Sequence, residues 1–184
     1  MPPVDSLIVI VAQYAIYAVA AGAVLAWLLV SRPAKWTLAA QAVVAVVLVA
    51  ILVKVAGAVH TDPRPFAQDP SLKPMFPHPP DNGFPSDHTA LTFAIAALVT
   101  CYRRLIGMAL IVVSLGIGAA RVAAHVHHVQ DIVAAVIIGA IAAGVALLAT
   151  RPLAAVSWWP GSDRGAATNG AGGQTDVRPY QPPR

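Results

Sequence analysis

The stretch LIGMALIVVSLGIGAARVAAHVHHVQDIVAAVIIGAIAAGVALLAT, Leu105 to Thr150, is two apolar runs with a single polar interruption. Each run approaches the roughly 20 apolar residues that a helix needs to cross a bilayer. The interruption, Arg121 to Asp131, places a guanidinium, three imidazoles and a carboxylate at the junction. Titratable groups are costly beside hydrocarbon, so a collection of them at one membrane level points to a site.

The rest of the chain reads the same way. Of 184 residues, 58% are hydrophobic and 11% charged, against about a quarter charged in soluble domains. Mean hydropathy is +0.69. This composition implies an all-α, multi-pass transmembrane bundle of about five spans. They are expected at Leu7 to Val30, Trp36 to Val59, Ser86 to Tyr102, Leu105 to Ala124 and Asp131 to Thr150. The N-terminus, Met-Pro-Pro-Val-Asp, lacks a basic leader region, so the first run is expected to be an uncleaved helix. Residues 60–84 are proline-rich and aperiodic, an expected loop. The membrane domain is expected to cover 1–156. The Gly/Pro-rich segment 157–184 is expected to be a disordered tail, preceded or joined by interface anchors at Trp158 and Trp159.

The net charge of +4 and pI near 9.6 do not imply nucleic acid, because no basic run interleaves with aromatics. The cations sort by topology instead. Arg32, Lys35, Arg103, Arg104, Arg151, Arg164, Arg178 and Arg184 fall on one side of a five-span chain. The positive-inside rule puts that side, with the C-terminus, in the cytoplasm. All six histidines fall on the other, extracytoplasmic side. Cys101 is the single cysteine, which excludes an intramolecular disulfide and a cysteine-rich metal site. Small-residue ridges at Ala135, Gly139 and Ala143, and at Ser114 and Gly118, would let helices approach closely.

Four distant segments bring polar groups to that outer level: Lys54 and Arg64, then Ser86 to His88, then Arg121, then His127 to Asp131. Arginine and lysine suit phosphate oxygens. Ser86 and the amides that open the third span add donors at a helix start. His127 and Asp131 are four apart, so on a helix they share a face and the carboxylate orients the imidazole. An oriented imidazole serves as nucleophile or base, and His88 can protonate a leaving group. These are the requirements of phosphoryl transfer. On an unbroken helix His128 aligns with Arg121 better than His127 does, so local geometry leaves both open. His125 reads as helix-end material, and His60 and His78 as solvated loop residues.

Arg64-Pro65, Pro85-Ser86-Asp87-His88 and Arg121-x5-His127-x3-Asp131 resemble, in order, the three signature blocks of the type 2 phosphatidic acid phosphatase superfamily. Pro-Ser-Asp-His with Arg64-Pro65-Phe66 resembles its bacitracin-resistance branch of undecaprenyl diphosphate phosphatases. The resemblance covers roughly Lys54 to Asp131 and implies a haloperoxidase-like helical core. It implies that His127 is the nucleophile, forming a phosphohistidine, that Asp131 orients it, and that His88 is the acid. Arg64, Arg121, Ser86 and the amides near Asp87 and His88 would hold the phosphate, with no metal or cofactor. The implied substrate is a membrane polyprenyl diphosphate, hydrolysed to the monophosphate at the extracytoplasmic face; a homo-oligomer is a further expected partner. Two positions depart from the family: Gly57 stands where it has lysine, with Lys54 one turn deeper, and Ala120 stands where many relatives have serine. Alternatives are a phosphatase of phosphatidic acid, phosphatidylglycerol phosphate or another prenyl phosphate, a histidine-rich haem or metal protein, or a non-catalytic scaffold.

Overall fold

A computed structural model describes residues 2–151. The expected tail, with Trp158 and Trp159, lies outside them. The chain forms α1 (Pro3–Leu29), α2 (Arg32–Val59), α3 (Pro65–Gln68), α4 (Asp87–Tyr102), α5 (Arg104–Ala123) and α6 (Val129–Ala149). Among the described residues there is no strand beyond an isolated bridge between Pro63 and Asn82. α1, α2, α5 and α6 are long and apolar enough to cross a membrane. α4, at 16 residues, extends about 24 Å.

That short helix occupies the centre, packed against α5, α6, α2 and α1. Its sequence suits the position, since Thr89, Ala90, Thr92, Ala94 and Ala96 are small enough to let four neighbours close in. The bundle is inverted relative to a soluble core. Small residues such as Ala45, Ala135 and Ala146 are buried, while Val43, Val47, Ile51, Ile137 and Ile141 face outward. Lipid tails are as apolar as leucine, so close packing rather than hydrophobic burial must hold such helices together.

The ridge at Ala135, Gly139 and Ala143 is buried, and Gly139 lies where α6 crosses α4. A Cβ there would stand 2.7 Å from the Ala90 carbonyl oxygen. Gly139→Leu is therefore expected to destabilise the protein by about 3 kcal/mol through overpacking. The helix-propensity gain of roughly 1 kcal/mol does not offset this. Thermal unfolding in detergent checks it, and an unchanged midpoint would refute the close crossing.

At one end, Tyr102 Oη donates to Gln41 Oε1 (2.8 Å) and Gln41 Nε2 to Thr150 Oγ1 (2.9 Å), tying α4, α2 and α6. The opposite end gathers the start of α1, the end of α2, the start of α4, the end of α5 and the start of α6. All the expected site residues lie there.

Candidate active site

The polar level is built around a turn, not a helix. α5 stops at Ala123, and residues 124–128 reverse the chain before α6 starts at Val129. His125 takes φ 61°, the left-handed region that lets the turn close. Val126 is fully buried with Ala12, Phe76, Ala120 and Ala124, which pins the turn from inside. His127 and Asp131 therefore do not share a helical face, as the spacing alone implied. They meet because Asp131 is in the first turn of α6 and folds back over its start. Its Oδ2 accepts the His128 amide (2.8 Å) and the His127 Nδ1–H (3.2 Å).

This contact is almost dry, with His127 2% and Asp131 0% exposed. With Nδ1 donating to Asp131, the lone pair of His127 lies on Nε2. That atom is 3.4 Å from Arg64 Nη1, which also donates to the Val126 carbonyl (2.7 Å). Burial pushes the His127 pKa below its ordinary value of 6.5. The Asp131 hydrogen bond opposes the shift, while the charges of Arg121 and Arg64 add to it.

Arg64 is buried and spends its Nε on the exposed carboxylate of Asp81 (2.8 Å). Arg121, also buried, donates from Nη1 to the Ala12 carbonyl (3.2 Å) and from Nη2 to His78 Nε2 (3.3 Å). Its Nε–H has no partner. A buried donor without an acceptor is costly, and an anion between the two guanidiniums would relieve it. His78 is thus not a solvated loop residue, because it caps Arg121.

The start of α4 faces this cradle. Ser86 is fully buried, its Oγ engaged with Thr89 Oγ1 (3.1 Å) and capping the Thr89 amide (3.5 Å). A phosphoryl oxygen would reach it only by exchange with those contacts. The Ser86 amide donates to the Asp131 carbonyl (3.3 Å), which joins the starts of α4 and α6. Asp87 Oδ1 accepts both the His88 amide (2.7 Å) and His88 Nδ1–H (2.9 Å), leaving His88 Nε2 free to work. Lys54, Asp87 and His88 line one cavity of about 330 Å³.

Sequence reasoning missed the loop that sets this geometry. Asn82 Oδ1 accepts the Asp62 and Phe84 amides, and its Nδ2 donates to the Gly57 and His60 carbonyls. Gly57 faces the Phe84 carbonyl at 3.0 Å from where a Cβ would be. The loop therefore fills the space beside the position where the family has lysine. Gly83 sits closest to the chemistry, since a Cβ there would lie within 3.4 Å of Arg64 Cγ and Asp131 Oδ2. His60 stays exposed and packs edge-on to Phe84. His125 contacts the Lys73 carbonyl.

His128 turns away from the cradle to Asp62, with Nδ1 2.9 Å from Oδ2. Among the described residues, Asp62, His128 and Asp131 are the group whose ligand atoms gather within 4.8 Å, the place where a cation would fit. Gln130 and Gln68 already donate to Asp62. Among the described residues, His88 alone of the six histidines lies within a helix, whereas a bis-histidine haem site pairs residues deep in facing helices.

Residues 38–153 match the profile of the PAP2 superfamily. The chain is 34% identical over 140 residues to the bacitracin transport permease protein BcrC of Bacillus licheniformis, spanning 76% of this chain and 68% of that one. It is 27% identical to the undecaprenyl-diphosphatase BcrC of Bacillus subtilis strain 168, spanning 74% and 70%. The crystal structure of Aquifex aeolicus LpxE shares the fold, with a TM-score of 0.68 at 23% identity over 80% of this chain and 87% of that one.

Proposed function

The chain belongs to the PAP2 superfamily, in its bacitracin-resistance branch, and from that premise we propose that it removes the terminal phosphate of an undecaprenyl-type diphosphate through a phosphohistidine. The observation that carries this reading is a buried imidazole held between a carboxylate and a guanidinium. Its Nε2 attacks the terminal phosphorus as the bridging P–O bond breaks. The electron pair leaves on the prenyl monophosphate oxygen, which takes a proton from His88. Asp131 stabilises the cationic phosphohistidine. His88, now neutral, takes a proton from water, whose oxygen attacks the phosphorus. The N–P bond breaks and inorganic phosphate departs.

Arg64 and Arg121 carry the charge that builds up on the phosphoryl oxygens. The incoming anion displaces the Asp81 carboxylate, which holds Arg64 in the free protein. Ser86 and the amides beside Asp87 and His88 complete the cradle, and Lys54 meets the phosphate that stays on the lipid. Two guanidiniums make a divalent ion unnecessary in this scheme.

The site opens on the extracytoplasmic face, because Arg32, Lys35, Arg103, Arg104 and Arg151 flank the helix ends opposite to it. The expected domain boundary near residue 156 and the segment 157–184 lie outside the described residues. The test is phosphate release by the purified protein from prenyl and glycerolipid phosphates, with and without chelator. Hydrolysis of the prenyl diphosphate that survives chelation is the expected result. A chelator-sensitive rate would move phosphate binding to the Asp62, His128 and Asp131 cluster.

The pH profile gives a separate check. Attack needs neutral His127, so kcat/KM should fall as pH drops through a value below 6.5. Arg64→Gln removes a charge that depresses this pKa, so its acid limb should move up. Asp131→Asn removes the acceptor that supports the charged ring, so its limb should move down. Limbs that do not move would mean that another group titrates.

A further inference from the structure

The reading above supplies a substrate with a long prenyl chain but leaves open where that chain lies. α1 and α2 barely touch, and α4 forms the floor between them. Two cavities lie end to end along this seam. The upper one, about 330 Å³, has Ile16, Val49, Val53 and Leu91 as apolar walls, with Lys54 and His88 at its polar end. The lower one, about 190 Å³, is lined by Ala23, Trp27, Ala42, Ile95 and Val99 and is almost wholly apolar.

Helical spacing sets the two along one line on the same helix faces. His88, Leu91, Ile95 and Val99 follow one another at three or four residues on α4, as do Ala42, Val46, Val49 and Val53 on α2. From His88 to Val99 the groove runs about 16 Å at 1.5 Å per residue. An isoprene unit adds four chain carbons, roughly 5 Å when extended, so about three units fit. Trp27 closes the far end. Its indole N–H donates to the Lys35 carbonyl (3.0 Å), and Lys35 Nζ lies 5.1 Å from the ring centroid. Val24 and Val46 line the groove yet stay well exposed, so its side is open to lipid.

We propose that the α1–α2–α4 seam binds the first three or so isoprene units of the substrate, with Ala42 and Ala50 leaving the space they occupy, and that the remaining chain exits sideways between α1 and α2. The proposal rests on the phosphatase reading and adds the determinant of chain recognition to it. Apolar walls begin beside the polar groups at His88 and Lys54 and follow the same helix faces to Trp27, and an amphiphile with a diphosphate head and a hydrocarbon tail matches both ends.

The experiment measures KM and kcat for diphosphates carrying one, two, three and eleven isoprene units, and for phosphatidic acid. Ala42→Phe fills the lower cavity. It should raise KM by about tenfold for three units and longer, leaving one- and two-unit substrates and kcat unchanged. Ala50→Phe fills the upper cavity and should extend the penalty to the two-unit substrate. Parallel losses at every chain length, or none at any length, would overturn the seam while leaving the phosphatase reading intact. Losses confined to phosphatidic acid would assign it to a glycerolipid acyl chain and overturn it too. Failure of the unaltered protein to cleave any prenyl diphosphate would remove the premise, and the proposal with it.

Discussion

His127→Ala abolishes phosphate release, with an expected loss on the order of 10⁴–10⁶-fold in kcat, the scale seen when a covalent nucleophile is removed. The size follows from the absence of a substitute. His128 is the neighbour that helical geometry favoured, but it points to Asp62. Asp131, though adjacent, is bound through Oδ2 to His127 and the His128 amide. His128→Ala should therefore cost far less than His127→Ala. Rapid acid-free quenching of the unaltered enzyme with labelled substrate should trap an acid-labile phosphoprotein that His127→Ala lacks. Equal rates for the two proteins would end the nucleophile assignment. So would a full loss in His128→Ala with the fold intact.

The contrast between these histidines shows what the sequence could carry. Helix positions were legible, with observed helix ends within a few residues of expectation, because apolar length needs no tertiary information; four of the five are long and apolar enough to cross a membrane, and α4 is not. The central place of α4 was latent in its run of alanine and threonine. The path of the turn between α5 and α6 was not legible, since nothing local marks His125 for positive φ in place of a glycine. A continuous helical reading therefore left His127 and His128 competing, and the resemblance to a family chose between them. The structure brings Arg64, Arg121, His127 and Asp131 together through a different local geometry.

What stayed hidden is in the loop 60–84. Asp81 and His78 hold Arg64 and Arg121 there, Asp62 holds His128, and Gly83 lies where a side chain would meet Arg64 and Asp131. Their path depends on four hydrogen bonds from one side chain, Asn82, to residues up to 25 positions away. Such contacts have no period, and proline content identifies a loop without saying where it goes. Asp87 was legible only as a source of amides, whereas its carboxylate holds the His88 ring.

That hold shapes the second large effect. His88→Gln is expected to reduce kcat by about 10²–10⁴-fold for a prenyl diphosphate. The cause is specific to the step: a departing phosphate oxygen needs a proton, and Nε2 is the ring atom left free by Asp87. A substrate with a good leaving group, such as a nitrophenyl phosphate, needs little protonation to depart. His88→Gln should slow formation of the phosphoenzyme much less with that substrate. Hydrolysis of the phosphoenzyme still needs a base for water, so the intermediate should accumulate and appear as a burst followed by a slow steady rate. Asp87→Asn should show a weaker version of both effects, because it loosens the ring without removing it. A uniform loss across leaving groups, with no burst, would mean that His88 binds phosphate and transfers no proton.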